Sequence, residues 1–249
     1  MARQNKNAAQ GDEKQTLLEH LSALRRVLLI SAAAIGILFV LVFYFAVDPL
    51  MGWILAPIEA RGIEIIYTAM SEALLTKMKV GLIAAIVAAS PIIVWQLWSF
   101  IKPALYAYER ALFRLLFFVA LLLFLTGVAF CYGAVYMLAV DFFLIAGENI
   151  AVPMLSVDKY IGFLFGFVVP FGLAFELPVA LYMTTRMGLT NHRMLVQKRK
   201  FVILAIAIIA AILTPPDVVS QLMLGIPMLV LFEVGVLVTR FVKPREKEI

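Results

Sequence analysis

Glu176 is the only charged residue between Lys159 and Arg186, in a largely apolar stretch of 26 residues. Arg186 follows ten residues later, about 15 Å along a helix. The carboxyl group is therefore expected near the middle of a bilayer whose hydrocarbon core is about 30 Å thick. Ionisable groups at that depth are costly, which favours a functional site. The alternative is a protonated Glu176 that holds two helices together by hydrogen bonding.

Catalytic chemistry has little support in the remaining residues. The two histidines, His20 and His192, lie in polar segments, and the chain has no H-E-x-x-H, no G-x-S-x-G and no Gly-rich phosphate loop. Cys131 is the only cysteine, which excludes an intramolecular disulfide and disfavours a cysteine-based metal site. We expect no enzymatic activity, no cofactor and no metal.

Glu109 is the only acidic residue between Glu72 and Asp141, and it lies in a basic connector. Its carboxylate could receive a cationic ligand, since a carboxylate binds a guanidinium group through two hydrogen bonds. It could equally pair with a neighbouring arginine such as Arg110. The residues alone favour this second interpretation.

Leucines recur at helical spacing near the start of the chain, at Leu17, Leu21, Leu24 and Leu28. This spacing predicts an amphipathic helix that lies along the membrane surface before the chain enters the membrane. The simplest interpretation of its arginines is contact with lipid phosphates.

The composition predicts an all-α integral membrane protein, because 64% of the residues are hydrophobic and the mean hydropathy is +1.01. Four continuous apolar runs are long enough to cross a bilayer: Val27–Val47, Ala73–Ile101, Leu112–Val140 and Tyr160–Thr185. Run five, Phe201–Leu213, has 13 residues, and run six is Val218–Val238. We predict six transmembrane helices, of which the last two are short.

The last two runs are separated by Thr214-Pro215-Pro216-Asp217, which predicts a helix stop followed by an N-cap. Run five would be only about 20 Å long as a helix. The pair is therefore either a re-entrant hairpin or a spanning pair in a thinned membrane. In both cases the chain returns to the same side.

Lys and Arg are distributed unequally between the two sides. The N-terminus, the second and fourth connectors and the C-terminus carry 17, whereas the other side carries only Arg61, Lys77, Lys79 and Lys159. The positive-inside rule therefore predicts that both termini are cytoplasmic. It also accounts for the net charge of +5 without nucleic acid. We predict one membrane domain over 1–249, with a cytoplasmic segment at 1–26, a membrane region at 27–238 and a tail at 239–249.

Several segments resemble, in this order, those of the TatC family, the multispanning receptor subunit of the twin-arginine protein translocase. The matching segments are His20-Leu21, Leu24-Arg25, Ala56-Pro57, Phe100, Pro103 to Tyr106, Glu109-Arg110, Phe175 to Pro178, Leu213 to Asp217, Ser220-Gln221 and Ile226 to Glu233. The resemblance covers about residues 17 to 240. It implies a receptor in the bacterial cytoplasmic membrane that binds signal peptides with paired arginines.

The resemblance also implies export of folded proteins with single-span partners of the TatA and TatB type, driven by the proton gradient, and self-association. It implies that the arginine pair binds to a cytoplasmic patch, in which Glu109 is the best candidate for the residue that receives the pair. The other patch residues are His20, Leu24, Arg25, Phe100, Pro103, Leu105, Tyr106 and Arg110. The family usually has Glu before the Leu-Arg pair, where this chain has Ala23. Glu19, four residues earlier on the same helical face, is our hypothesis for the substitute.

The resemblance implies that the last hairpin contacts partner helices. Thr214 and Asp217 could equally be local caps of the turn, whereas Gln221 is less easily explained as a cap. We expect structural roles for Pro57, Pro178, Pro215 and Pro216, with Pro170 and Pro178 bending the helix of Glu176. Glu176 would then be a largely neutral polar group on a concave, membrane-embedded face.

The competing hypothesis is a proton-coupled small-solute transporter that titrates Glu176. The chain has no internal repeat, and its outer connectors, Asp48–Glu72 and Asp141–Lys159, are long compared with the Pro-Pro turn. Both features disfavour the inverted-repeat architecture of many transporters. An intramembrane hydrolase would need a nucleophile and base that are not found.

Overall fold

The computed structural model describes residues 2–101, 110–148, 153–214 and 217–242, with side chains over 21–99, 114–148, 153–214 and 217–242. The helices in these ranges are α1 Ala2–Phe45, α2 Val47–Glu59, α3 Glu72–Ile101, α4 Arg110–Phe130, α5 Met137–Gly147, α6 Val157–Ala174, α7 Leu177–Arg186, α8 His192–Gln197, α9 Arg199–Leu213 and α10 Val218–Thr239. A π-helical turn, Cys131–Tyr136, joins α4 to α5, and two short strands are β1 Glu64–Ile66 and β2 Met154–Ser156. The fold is mostly helical, as predicted.

Five helical stretches in the described part of the chain are long and apolar enough to cross a membrane. They are Leu21–Phe45, Glu72–Ser99, Arg114–Gly147, Val157–Arg186 and Val218–Thr239. α9 has 15 residues, or about 22 Å, and is shorter than the bilayer core as predicted. The prediction that α10 is short is wrong. α10 has 22 residues because Asp217 caps it directly after the turn and Pro227 is accommodated inside it.

α1 is one continuous helix from Ala2 to Phe45, whereas the sequence predicted a separate surface helix before the first span. This stretch contains no proline, so every residue can donate its backbone N–H to the helical ladder. α1 packs mainly along α3 at the periphery, where 6% of its apolar window is buried.

The α6–α7 stretch lies at the centre of the bundle, because half of its apolar window is buried. Ile161, Phe167 and Phe171 of α6 are fully buried in the main core. A second cluster includes Val94 and Trp98 of α3 and Val179 of α7. Residues near the middle of α6–α7 are therefore held by neighbours from several helices.

Residues 48–72 and 141–159, which we call the cap, carry β1 and β2. The two strands pair in parallel, with Ile65 opposite Leu155. Three ion pairs tie the cap together and to α3: Arg61–Asp141 at 2.7 Å, Lys77–Asp48 at 2.5 Å and Lys79–Asp158 at 2.5 Å. Three of the four cations predicted on the outer side are thus neutralised locally.

Glu72 is the buried polar centre of the cap, with 7% of its surface exposed. Its Oε2 accepts hydrogen bonds from the backbone N–H of Thr68 at 2.5 Å and the Thr68 hydroxyl at 2.8 Å. Its Oε1 accepts from the Ser156 hydroxyl and from the backbone N–H of Asp158 at 3.1 Å. One carboxylate therefore holds both connectors at the start of α3.

We expect Glu72→Ala to destabilise the protein by about 1–3 kcal/mol, because it leaves several partly buried donors without an acceptor. Glu64→Ala, on an exposed residue of the same cap, is the matched control and should cost less than about 0.5 kcal/mol. Thermal unfolding of the purified variants in detergent measures the difference. Equal shifts in the two variants would contradict this role for Glu72.

Pro57 interrupts the hydrogen bonding of α2, since proline has no N–H to donate to the Trp53 carbonyl four residues earlier. The Tyr132 hydroxyl of the π-helical turn donates to that carbonyl oxygen at 3.3 Å, and its ring stacks on Trp53. The Tyr160 hydroxyl donates to the Ile54 carbonyl at 3.1 Å. Two tyrosines thus attach α2 to the central helices.

Candidate functional site

Glu176 lies in the two-residue interruption between α6 and α7, preceded by Phe175. Pro178 is in the first turn of α7 and cannot donate to the Ala174 carbonyl, which a continuous helix would require. Pro170 remains inside α6. The expected disruption of this helix therefore falls beside Pro178 and places Glu176 at the junction.

The Glu176 carboxyl group is half-buried, and its Oε1 is buried without a hydrogen-bond partner in the described part of the chain. Glu176 occupies the N-cap position of α7, yet its side chain accepts no capping hydrogen bond. The alternative that Glu176 holds two helices together by hydrogen bonding is thus not supported, because its buried Oε1 has no partner among these residues. A buried polar oxygen without a hydrogen-bond partner is costly, which distinguishes Glu176 from the hydrogen-bonded Glu72 and the ion-paired Glu233.

Two glycines let neighbouring helices approach the junction closely. A Cβ atom at Gly127 of α4 would lie 2.8 Å from Cγ of Phe175 and 2.9 Å from the Phe171 carbonyl oxygen. A Cβ atom at Gly235 of α10 would lie 2.6 Å from Cδ1 of Leu181. The backbone on both sides of Glu176 is therefore fixed by α4 and α10.

The polar residues of the last hairpin mostly find partners within the chain. The Thr214 hydroxyl donates to the Ala210 carbonyl at 2.8 Å, and Asp217 caps α10 by accepting from the Ser220 N–H at 2.7 Å. Gln221 Nε2 donates to the Ala207 carbonyl of α9 at 3.0 Å. The Ser220 hydroxyl is buried without a partner among the described residues. Pro215 and Pro216 lie outside the described residues.

The predicted patch is described only in part. Leu24 and Arg25 are exposed on α1. The side chains of the other patch residues lie outside the described part: Glu19, His20, Phe100, Pro103, Leu105, Tyr106, Glu109 and Arg110. The packing of α1 against α3 still shows at which end of the bundle Leu24 and Arg25 lie.

α1 and α3 run antiparallel, because Asp48 meets Lys77 while Phe39 and Phe43 lie against Gly81. Continuing the same register along both helices brings residues 24 and 25 level with the last turns of α3. The connector from α3 to α4, which contains Glu109, starts there. Leu24 and Arg25 therefore lie at the same end of the bundle as the end of α3.

Sequence reasoning missed two carboxylates with clear partners. Glu72 is the first residue of α3, a favourable position for an anion that could have indicated its role. Glu233 lies on α10 and binds Arg199 Nη2 of α9 at 2.6 Å. No local sequence signal joins those two residues, which are 34 positions apart.

Comparison with known proteins identifies the family of this chain. The family described as "Sec-independent protein translocase protein (TatC)" matches residues 19–227. TatC of Carboxydothermus hydrogenoformans is 41% identical over 236 residues, covering 94% of this chain and 97% of the relative. TatC of Escherichia coli is 36% identical over 234 residues, covering 92% and 90%. A crystal structure of the twin-arginine translocase receptor TatC superposes with a TM-score of 0.82, at 37% identity, covering 89% of this chain and 98% of that one.

The fold and these similarities define a multispanning helical membrane protein of the protein-translocase class. The match extends over nearly the whole length of both chains, so it includes the central α6–α7 junction and the cap. The chain belongs to the TatC family of Sec-independent protein translocase proteins.

Proposed function

We propose that this chain is the receptor of a twin-arginine translocase and has no enzymatic activity of its own. It binds signal peptides with paired arginines at the patch around Glu109 and exports folded proteins with TatA- and TatB-type partners, using the proton gradient. It resides in the bacterial cytoplasmic membrane, with both termini in the cytoplasm.

The likeness to a crystallised twin-arginine translocase receptor, over 89% of this chain, is the observation that carries the proposal. The excess of Lys and Arg on one side, 17 against four, supports the orientation. The unpartnered Glu176 oxygen supports contact with a passing signal or a partner helix. A solute transporter would need its own pathway, and no observation favours one.

Export of a folded reporter tests this function. A signal peptide with Arg-Arg should support export, while the same peptide with Lys-Lys should reduce it about tenfold or more, because lysine lacks the bidentate geometry of guanidinium. The measurement is reporter activity outside cells that contain this chain as their only TatC-type protein. Equal export of both peptides, or solute uptake by this chain alone, would overturn the proposal.

A further inference from the structure

A cleft of about 490 Å³ opens at the end of the bundle where α7 and α10 both finish. Its lining is Thr185, Asn191, His192, Arg193, Met194, Gln197, Thr239, Arg240 and Val242. The volume is within the range of about 300–1,000 Å³ typical of small-ligand sites. None of the lining residues belongs to the predicted signal-peptide patch or to the Pro-Pro turn, so the proposed function assigns the cleft no role.

The floor of the cleft is fixed by hydrogen bonds. Thr185 and Thr239 are buried, with 1% and 2% of their surface exposed. The Thr239 hydroxyl donates to the Val236 carbonyl at 2.6 Å, and His192 Nδ1 lies 3.1 Å from the same oxygen. The Thr185 and Thr190 hydroxyls are 3.0 Å apart. The His192 ring is therefore held by its Nδ1 edge against α10.

The charge of the cleft is positive. Arg193 and Arg240 are exposed in its wall, and neither forms an ion pair with a described residue. No carboxylate lines the cleft among the residues that the structure describes. The nearby Glu233 already binds Arg199, at 2.6 Å. Two guanidinium groups are thus available to an anion, and guanidinium groups suit phosphate oxygens geometrically.

Exposed apolar residues form a stripe along α10 that ends beside the cleft. Val230, Val234, Leu237 and Phe241 recur at helical spacing, and each is 44% or more exposed. Phe241 lies between Arg240 and Val242, both of which line the cleft. A ligand with an anionic head in the cleft could therefore lay an apolar tail along α10. A phospholipid has this chemistry, whereas free phosphate would use only the cleft.

We propose that this cleft binds the phosphate headgroup of an anionic phospholipid, with Arg193 and Arg240 as its ligands and the α10 stripe against an acyl chain. Basic pockets between transmembrane helices at the membrane surface commonly bind such headgroups. The bound lipid would hold the ends of α7, α8 and α10 together at the membrane surface. Its lining residues are different from those proposed for signal-peptide recognition.

Native mass spectrometry of the purified full chain in non-ionic detergent tests the proposal by titration with phosphatidylglycerol or phosphatidylcholine. We expect Arg193→Gln combined with Arg240→Gln to weaken phosphatidylglycerol binding about tenfold or more. Arg193→Lys combined with Arg240→Lys should weaken binding less than the Gln pair does, because lysine keeps the positive charge but not the bidentate geometry of guanidinium. Lys200→Gln is the matched control, since Lys200 is exposed at the same end but does not line the cleft. It should change binding less than about twofold.

Three outcomes would overturn the proposal. Equal loss of binding in Lys200→Gln would mean general charge attraction, and equal affinity for phosphatidylcholine would mean that the anion is not recognised. Displacement of the lipid by millimolar inorganic phosphate would identify a soluble phosphate as the ligand instead. Thermal unfolding of each variant without added lipid distinguishes loss of binding from loss of fold.

Discussion

Replacing Glu109 by Ala is expected to lower the affinity for a paired-arginine signal peptide about 100-fold or more. Charge-assisted hydrogen bonds contribute about 1.5–3 kcal/mol each, and a carboxylate can form two with one guanidinium group. Site-specific photocrosslinking of the signal peptide in membranes measures this loss. Glu64→Ala, at an exposed carboxylate of the cap, is the control and should leave crosslinking unchanged. Crosslinking that persists in Glu109→Ala would contradict the assignment of the patch.

The same experiment examines the second carboxylate. α1 is continuous through this region, so positions 19 and 23 lie four residues apart on one helical face. If Glu19 substitutes for the acidic residue usually found at position 23, Glu19→Ala should weaken crosslinking, and adding Ala23→Glu should restore it. Unchanged crosslinking in Glu19→Ala alongside a full loss in Glu109→Ala would refute the substitution.

Replacing Glu176 by Leu is expected to reduce export about 3- to 20-fold, whereas Glu176→Gln should retain full export. Hydrogen bonds between helices in membranes contribute about 0.6–1.7 kcal/mol each, which corresponds to that range. Gln keeps a hydrogen-bonding group at the α6–α7 junction, while Leu removes it. The measurement is the export rate of a reporter with an Arg-Arg signal.

Leu173→Gln supplies a control for the Glu176 variants. Leu173 lies near the end of α6 with 63% of its surface exposed, so an amide there tests general tolerance to polarity. We expect export to fall less than twofold in this variant. If Glu176→Gln were as damaging as Glu176→Leu, ionisation of the carboxyl group itself would be required. That result would support the competing hypothesis, in which Glu176 is titrated during proton-coupled transport.

The sequence predicted the membrane helices because each run carries its own signal, about 20 apolar residues bounded by polar connectors. The short α9 and the interrupted α6–α7 were also predictable, since Pro215, Pro216 and Pro178 act on their neighbours along the chain. The bounds of α10 were predicted to within one residue, and only its description as a short helix was wrong. The continuity of α1 was missed because an amphipathic pattern does not specify where a helix bends.

The cap could not be predicted, because it depends on contacts between distant segments. β1 and β2 are three residues each, and their pairing joins Ile65 to Leu155, 90 positions later. Glu72 reaches Ser156 across 84 positions. Glu176 was identifiable from its isolation in an apolar run. Its missing hydrogen-bond partner became visible only once the neighbouring helices were in place.

The attachment of α2 has a consequence for how this region tolerates sequence change. The acceptors for Tyr132 and Tyr160 are the main-chain oxygens of Trp53 and Ile54, which every amino acid provides. Side chains at positions 53 and 54 can therefore diverge without removing these hydrogen bonds. The constraint falls instead on the two tyrosines and on Pro57, whose missing N–H leaves the Trp53 oxygen open. Sequence change at positions 53 and 54 is thus limited by the burial of Ile54 and the stacking of Trp53 on Tyr132, and not by these hydrogen bonds.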